Sequence, residues 1–183
     1  MNLKLLDRPL IITDVETTGL YAGHHEIIEI GALVVDPKDF QIKSSIDFKV
    51  KPEHPRRITR MAKSVNGYNA RDWKDAVGLK EAMQSYAALS KDGLFLAYNV
   101  AFDWSFIADG FRKTGVKNLM DYHRLDIPSL AYDKLALKGL EKLSADAVSV
   151  FLGLPPEVRP HRALNGAMQA YNIFTKLILL NRL

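Results

Sequence analysis

Asp14 and Glu16 stand two positions apart at the end of the apolar run PLIITDV, with Thr17-Thr18-Gly19 directly behind them. In an extended chain, residues at i and i+2 project to the same face, so both carboxylates belong to one side of a strand end. Acids held that close repel each other unless a cation sits between them, and oxygen donors of this kind suit Mg²⁺ or Mn²⁺. On its own, an Asp-x-Glu pair is simply two solvated acids. Asp103, in AYNVAFDWSF, is a third acid in a parallel setting, just past another apolar run and at the start of an aromatic-rich helix. On its own it is a helix-start acid favoured by the helix dipole. His161 follows Val158-Arg159-Pro160 and precedes the last helical pattern. Beside metal-binding carboxylates such a histidine has the chemistry of a general base toward water; alone, it is a capping or surface residue.

That last pattern holds an anomaly. Leu164, Ala167, Met168, Tyr171, Phe174, Leu177 and Ile178 recur at helical offsets. Gly166 lies among them, where glycine costs about 1 kcal/mol relative to alanine.

Presenting these residues together requires a sheet. Residues 9–15, 27–35 and 42–50 read as strands, with a turn at Asp36-Pro37 between the second and third. A fourth strand is expected over 93–100 and a brief fifth over 123–126. Helices are expected over 72–90, 102–114, 128–137 and 142–154, and from about His161 onward, while the two prolines of KPEHPRR break regular structure. Three strands in meander, then alternating helix and strand, predict an α/β class with a mixed sheet covered by helices.

The 183 residues fit a single domain spanning 1–183, with an ordinary 48% hydrophobic and 25% charged composition. The chain has no cysteine, which excludes disulfides, thiolate metal sites and cysteine nucleophiles. No stretch approaches the roughly 18 apolar residues of a membrane span, and MNLKLLDRPLIITD lacks the form of a signal peptide. A cytoplasmic location with no membrane partner is the expectation. The formal charge is +4 with histidines neutral, and the basic residues cluster at His54, Arg56, Arg57, Arg60 and Lys63, at Arg112, Lys113 and Lys117, and at Arg159, His161 and Arg162. These are compatible with a polyanionic partner or with plain solvated surface.

Taken in order, DVETTG with Asp14 and Glu16, YNVAFD with Asp103, and HRALNGA with His161 resemble the three motifs of the DEDD-type 3'–5' exonucleases, histidine subgroup. The resemblance runs from Leu10 to about Phe174 and is to the DnaQ-like enzymes, a group that includes the proofreading epsilon subunit of bacterial DNA polymerase III. It implies a ribonuclease H-like fold, a central mixed five-stranded sheet flanked by helices. It also implies two divalent metals, Mg²⁺ or Mn²⁺, held by four acids, and a histidine that deprotonates the attacking water. By position, Asp14 would bridge both metals, Glu16 would hold one, Asp103 would serve the other, and His161 would be the base. Thr17 would approach the 3'-terminal hydroxyl, Leu20 would wedge against the last base, and Asn99 and Phe102 would line the nucleotide groove. Asp126 matches a recurrent family aspartate and is read as supporting. The implied partners are single-stranded DNA or RNA 3' ends, DNA first, and a DNA polymerase; the apolar C-terminal FTKLILLNRL would cover the sheet or form a homo-oligomer contact.

The departure is Gly166. The family's third motif has an aspartate there as fourth ligand, so the resemblance implies a weakened metal site and impaired hydrolysis. The alternative is a weak or inactive relative that binds 3' ends or serves as a polymerase-associated module.

Overall fold

The computed structural model describes residues 3–180. At its centre lie β1 (Leu10–Thr17), β2 (Ile27–Val35), β3 (Ile42–Lys49), β4 (Leu94–Ala97) and β5 (Arg124–Asp126), in spatial order β3-β2-β1-β4-β5. β1 pairs antiparallel with β2 and β2 with β3, whereas β1–β4 and β4–β5 are parallel. Parallel neighbours need long crossovers. These are supplied by α1 (Arg60–Asn66) and α2 (Leu79–Leu89) before β4, and by α3 (Val100–Thr114) before β5. The helices α4 (Ile127–Leu135), α5 (Ala145–Phe151) and α6 (Ala163–Leu179) complete the chain. This is the mixed sheet flanked by helices that the sequence implies.

β1 is buried on both sides, and its alternation sorts two cores. Leu10 and Ile12 join Leu33, Val35 and residues of α4 and α6, while Ile11 and Val15 join Met83, Tyr86 and Phe106 on the opposite face. By the same alternation Asp14 and Glu16 continue the face that α6 covers. α6 comes unusually close to the sheet. A Cβ on Gly31 would lie 2.2 Å from the Ala163 carbonyl carbon and 2.3 Å from the Leu164 nitrogen, so only bare backbone on β2 admits the start of that helix.

Several boundaries differ from the sequence expectation. β1 runs to Thr17 rather than residue 15, so both acids lie within the strand. The helix expected from residue 72 starts at Leu79, because the residues before it are tied to the sheet. The buried Trp73 donates its indole N–H to the Ile28 carbonyl at 2.9 Å, and Val77 bridges to Val50. α1 occupies a stretch not expected to be regular; the Thr59 hydroxyl accepts the Ala62 N–H at its start, and Gly67, at φ +64°, ends it. The strand expected over 93–100 is only Leu94–Ala97, since α3 begins at Val100. The helix expected over 142–154 contracts to α5 behind its Ser144 cap, and α6 starts at Ala163, so His161 precedes it. Residues 181–183 of the apolar C-terminal stretch lie outside the described residues, among which no helix is long and apolar enough to cross a membrane.

Candidate active site

β4 accompanies β1 only from Leu10 to Ile12. Beyond that point β1 has no strand partner on this edge, and the Val15 N–H is taken instead by Asp103 Oδ1 at 3.1 Å. Asp103 sits in the first turn of α3 and is 2% exposed. Asp126 steadies the same helix from the other side. Its Oδ1 accepts the Val100 N–H at 3.0 Å, while Oδ2 caps α4 through the Ser129 N–H and hydroxyl, at 3.1 and 2.7 Å. Asn99, at φ +66°, makes no side-chain cap bond and is exposed.

On the β2 side, Glu29 lies opposite Glu16 and Gly31 opposite Asp14 in the strand register. Glu29 is 1% exposed, and its Oε2 accepts the Ala163 N–H at 3.1 Å. The sheet thus caps α6, whose own N-cap residue, Arg162, supplies no side-chain cap. Arg162 Nη1 stands 3.5 Å from Glu29 Oε1 and donates to the Asn66 carbonyl at 2.5 Å. Asn66 in turn donates to the Thr17 carbonyl at 3.0 Å. His161 is hung from α1 by its own N–H, which donates to the Val65 carbonyl at 3.0 Å, and its ring Nδ1 lies 3.1 Å from Glu157 Oε2. One turn into α6, Gly166 is buried while Asn165 beside it is exposed. A Cβ at position 166 would lie 2.6 Å from both Cγ and Oδ2 of Asp14. That position faces the Asp14 carboxyl directly.

Asp14, Glu16, Thr17, Leu20, Phe102 and His161 meet in one cleft of about 470 Å³, with Asp103 against its floor through Val15. Asn99 is not among the lining residues. α1 forms a wall through Met61, Val65 and Asn66. Leu20 and Met61 are 63% and 68% exposed, so two large apolar side chains stand open at this cleft. The Thr17 hydroxyl is committed to the Gly19 carbonyl at 2.7 Å and shapes the loop behind the strand.

The three acids are held in an environment that disfavours their charge. Burial, then the charges of Asp103, Glu16, Glu157 and Glu29, raise Asp14 well above the ordinary carboxylate range. Burial and the charges of Glu29 and Glu157 push Glu16 up to about 7, against relief from Asn66 and Arg162. Burial pushes Asp103 up to about 8 in spite of the Val15 N–H it accepts. Desolvated, mutually repelling carboxylates are the donor set of a hard divalent cation, so Asp14, Glu16 and Asp103 fit Mg²⁺ or Mn²⁺. Among the described residues, the group whose ligand atoms already converge within 4.8 Å lies elsewhere, at Glu26, Glu53 and His54. There Glu26 accepts both the backbone N–H of His54, at 2.9 Å, and a contact from its ring Nδ1, at 2.8 Å, and so serves the loop.

Sequence reasoning missed Glu29, Asn66, Glu157 and Arg162. A glutamate inside the apolar run IIEIGALVV was the one available sign of Glu29. Glu157 stands four residues before His161, but the intervening Pro160 gives no reason to read that spacing as a helical pair.

An exonuclease family, RNase_T, matches residues 11–174. The chain is 31% identical over 174 residues to a PolC-type DNA polymerase III of Thermotoga maritima, covering 94% of this chain and 12% of that protein. Against the PolC-type polymerase of Listeria monocytogenes it is 26% identical over 172 residues, 94% of this chain and 10% of that one. The chain therefore spans only about an eighth or less of the length of these relatives. Among solved structures, E. coli exonuclease I in complex with a dT13 oligonucleotide aligns with TM-score 0.77 and 16% identity, over 93% of this chain and 41% of that one. Cell-death related nuclease 4 aligns with TM-score 0.77 and 17% identity, over 94% and 64%. At these identities the two structures establish the fold.

Proposed function

Because the chain belongs to the exonuclease family matched over residues 11–174, we propose that it is a metal-dependent 3'–5' exonuclease that shortens single-stranded nucleic acid, DNA first, as one exonuclease domain. The observation that supports this most is the gathering of Asp14, Glu16 and His161 in one cleft, with Asp103 behind its floor. Asp14, Glu16 and Asp103 would hold two Mg²⁺ or Mn²⁺ ions, which when bound polarise the scissile phosphate and stabilise the attacking and leaving oxygens.

The chain's own groups do the rest. Glu157 engages Nδ1 of His161, which leaves Nε2 to take the proton from the attacking water. Leu20 and Met61 offer apolar surface to the terminal base, Phe102 extends that wall, and the loop fixed by Thr17 meets the 3' end. Asn99, exposed outside the lining, makes no contact with the terminal nucleotide in this scheme. Exonuclease I was crystallised with single-stranded oligonucleotides and the PolC-type relatives are polymerases; both support a single-strand substrate and a polymerase-associated setting.

A second proposal follows from one observation. Position 166 faces Asp14 yet offers no oxygen, which favours a 3'-end-binding module with little hydrolysis. Nucleotide release from a 3'-labelled single strand, DNA and RNA in parallel, with Mg²⁺, Mn²⁺ or chelator, separates the two. Metal-dependent release of terminal mononucleotides, with progressive shortening of a 5'-labelled strand, is the expected outcome. Tight 3'-end binding with no release in either metal would leave the binding module.

A further inference from the structure

Accepting that Asp14, Glu16 and Asp103 hold divalent metal, we propose that Glu157 supplies the fourth carboxylate that position 166 lacks. Glu157 lines the same cleft as Asp14 and Glu16, on the segment leading into α6. Its side chain is 10% exposed, and its Oε1 is buried with no hydrogen-bond partner among the described residues, while Oε2 lies 3.1 Å from the His161 ring. A buried acceptor left bare is costly, so this oxygen is set for a group that the side chains do not provide. Glu29 also has a bare Oε1, but Arg162 stands 3.5 Å from it and its Oε2 caps α6. Among the described residues Glu157 forms no ion pair with an arginine, although the charge of Arg159 and the Arg162 N–H favour its ionised form. Its charge acts on both Asp14 and Glu16 across the cleft that all three line.

Charge balance points the same way. Two divalent ions facing Asp14, Glu16 and Asp103 alone would leave an excess positive charge, and Glu157 cancels it. A fourth acid in this pocket without cations only adds repulsion. Glycine at 166 and glutamate at 157 are then one arrangement: the oxygen has moved from the helix to the loop in front of it.

The test is Mn²⁺ binding by titration calorimetry on the full chain, for the native protein and for Glu157→Gln, Glu157→Asp, His161→Ala, Gly166→Asp and the Glu157→Gln/Gly166→Asp pair. Removal of a carboxylate ligand is expected to weaken Mn²⁺ binding about tenfold or more in Glu157→Gln. Glu157→Asp, which keeps the charge, and His161→Ala, which removes only the imidazole, should stay within about threefold of native on the same grounds. Gly166→Asp should recover most of the deficit on the Glu157→Gln background and change the native affinity far less. Melting in chelator, with Glu157→Gln no less stable than native, shows that the variant folds.

Unchanged Mn²⁺ affinity in Glu157→Gln, with activity reduced to the same extent as in His161→Ala, would make Glu157 only an orienter of the imidazole. Equal weakening in Glu157→Asp and Glu157→Gln would also overturn the proposal, since charge would not be what matters. Absence of Mn²⁺ binding by the native protein would sink the metal reading beneath it, an outcome distinct from either.

Discussion

Asp14, Glu16 and Asp103 carry a consequence that needs no substrate to observe. Each holds its proton more tightly in the folded chain than in the unfolded one, Glu16 to about 7 and Asp103 to about 8. The folded state therefore binds more protons between the ordinary carboxylate range and those values, and stability falls as pH rises through that window. In chelator, the melting temperature should drop by several degrees between about pH 5.5 and about pH 8.5, and Mn²⁺ should restore it most at the upper end. A melting temperature flat across that range in chelator would mean that the acids are not desolvated as described. These three residues and His161 stood out in the sequence as candidates because their motifs follow the order of a known family, whereas each alone reads as an ordinary surface or capping residue. Glu29 and Glu157 did not stand out. One hides in an apolar strand, and its partner Ala163 is 134 positions away; the other acquires meaning only when a loop folds back beside β1.

Among the elements, the strands were easier to read than the helices. β2 matches its expected span residue for residue, because a strand buried on both faces is an apolar run that a single glutamate does not obscure. α1 was missed because its short span, Arg60–Asn66, has little periodicity and follows two prolines; its Thr59 and Gly67 caps define it. The seat of α6 on β2 makes a sharper prediction. Gly31→Ala would drive a Cβ to within 2.2 Å of main-chain atoms that cannot swing aside, so the helix must lift from the sheet. A destabilisation of about 1–3 kcal/mol in urea unfolding is expected. Nuclease activity should fall further than the change in stability accounts for, because His161 enters the cleft on that helix's leading segment. Gly31→Ala with native stability would show that the backbone there relaxes freely.

For the whole molecule, the cleft opens where the antiparallel and parallel halves of the sheet meet at β1, a place where open sheets commonly bind ligands. α1 walls that opening through Met61, Ala62, Val65 and Asn66, while Arg60 and Lys63 of the same helix, and Arg56 just before it, are exposed and not among the lining residues. Replacing these three basic residues by alanine should weaken oligonucleotide binding uniformly across sequences. The dependence of log affinity on log salt should flatten by about 0.7 for each phosphate of a single strand that the variant no longer neutralises. An unchanged salt slope would make the cluster ordinary surface.

The order of assembly follows from the cap on α6. The carboxylate that completes this helix comes from β2, 134 positions earlier, and the Asp103 anchor on β1 spans another 88. Contacts that close such long loops form late, since the chain must first give up the entropy of bringing distant segments together. A growing chain that already displays Asp14 and Glu16 has neither α6 nor the histidine ahead of it. On the proposed reading, hydrolysis would begin only once α6 and the histidine ahead of it are in place.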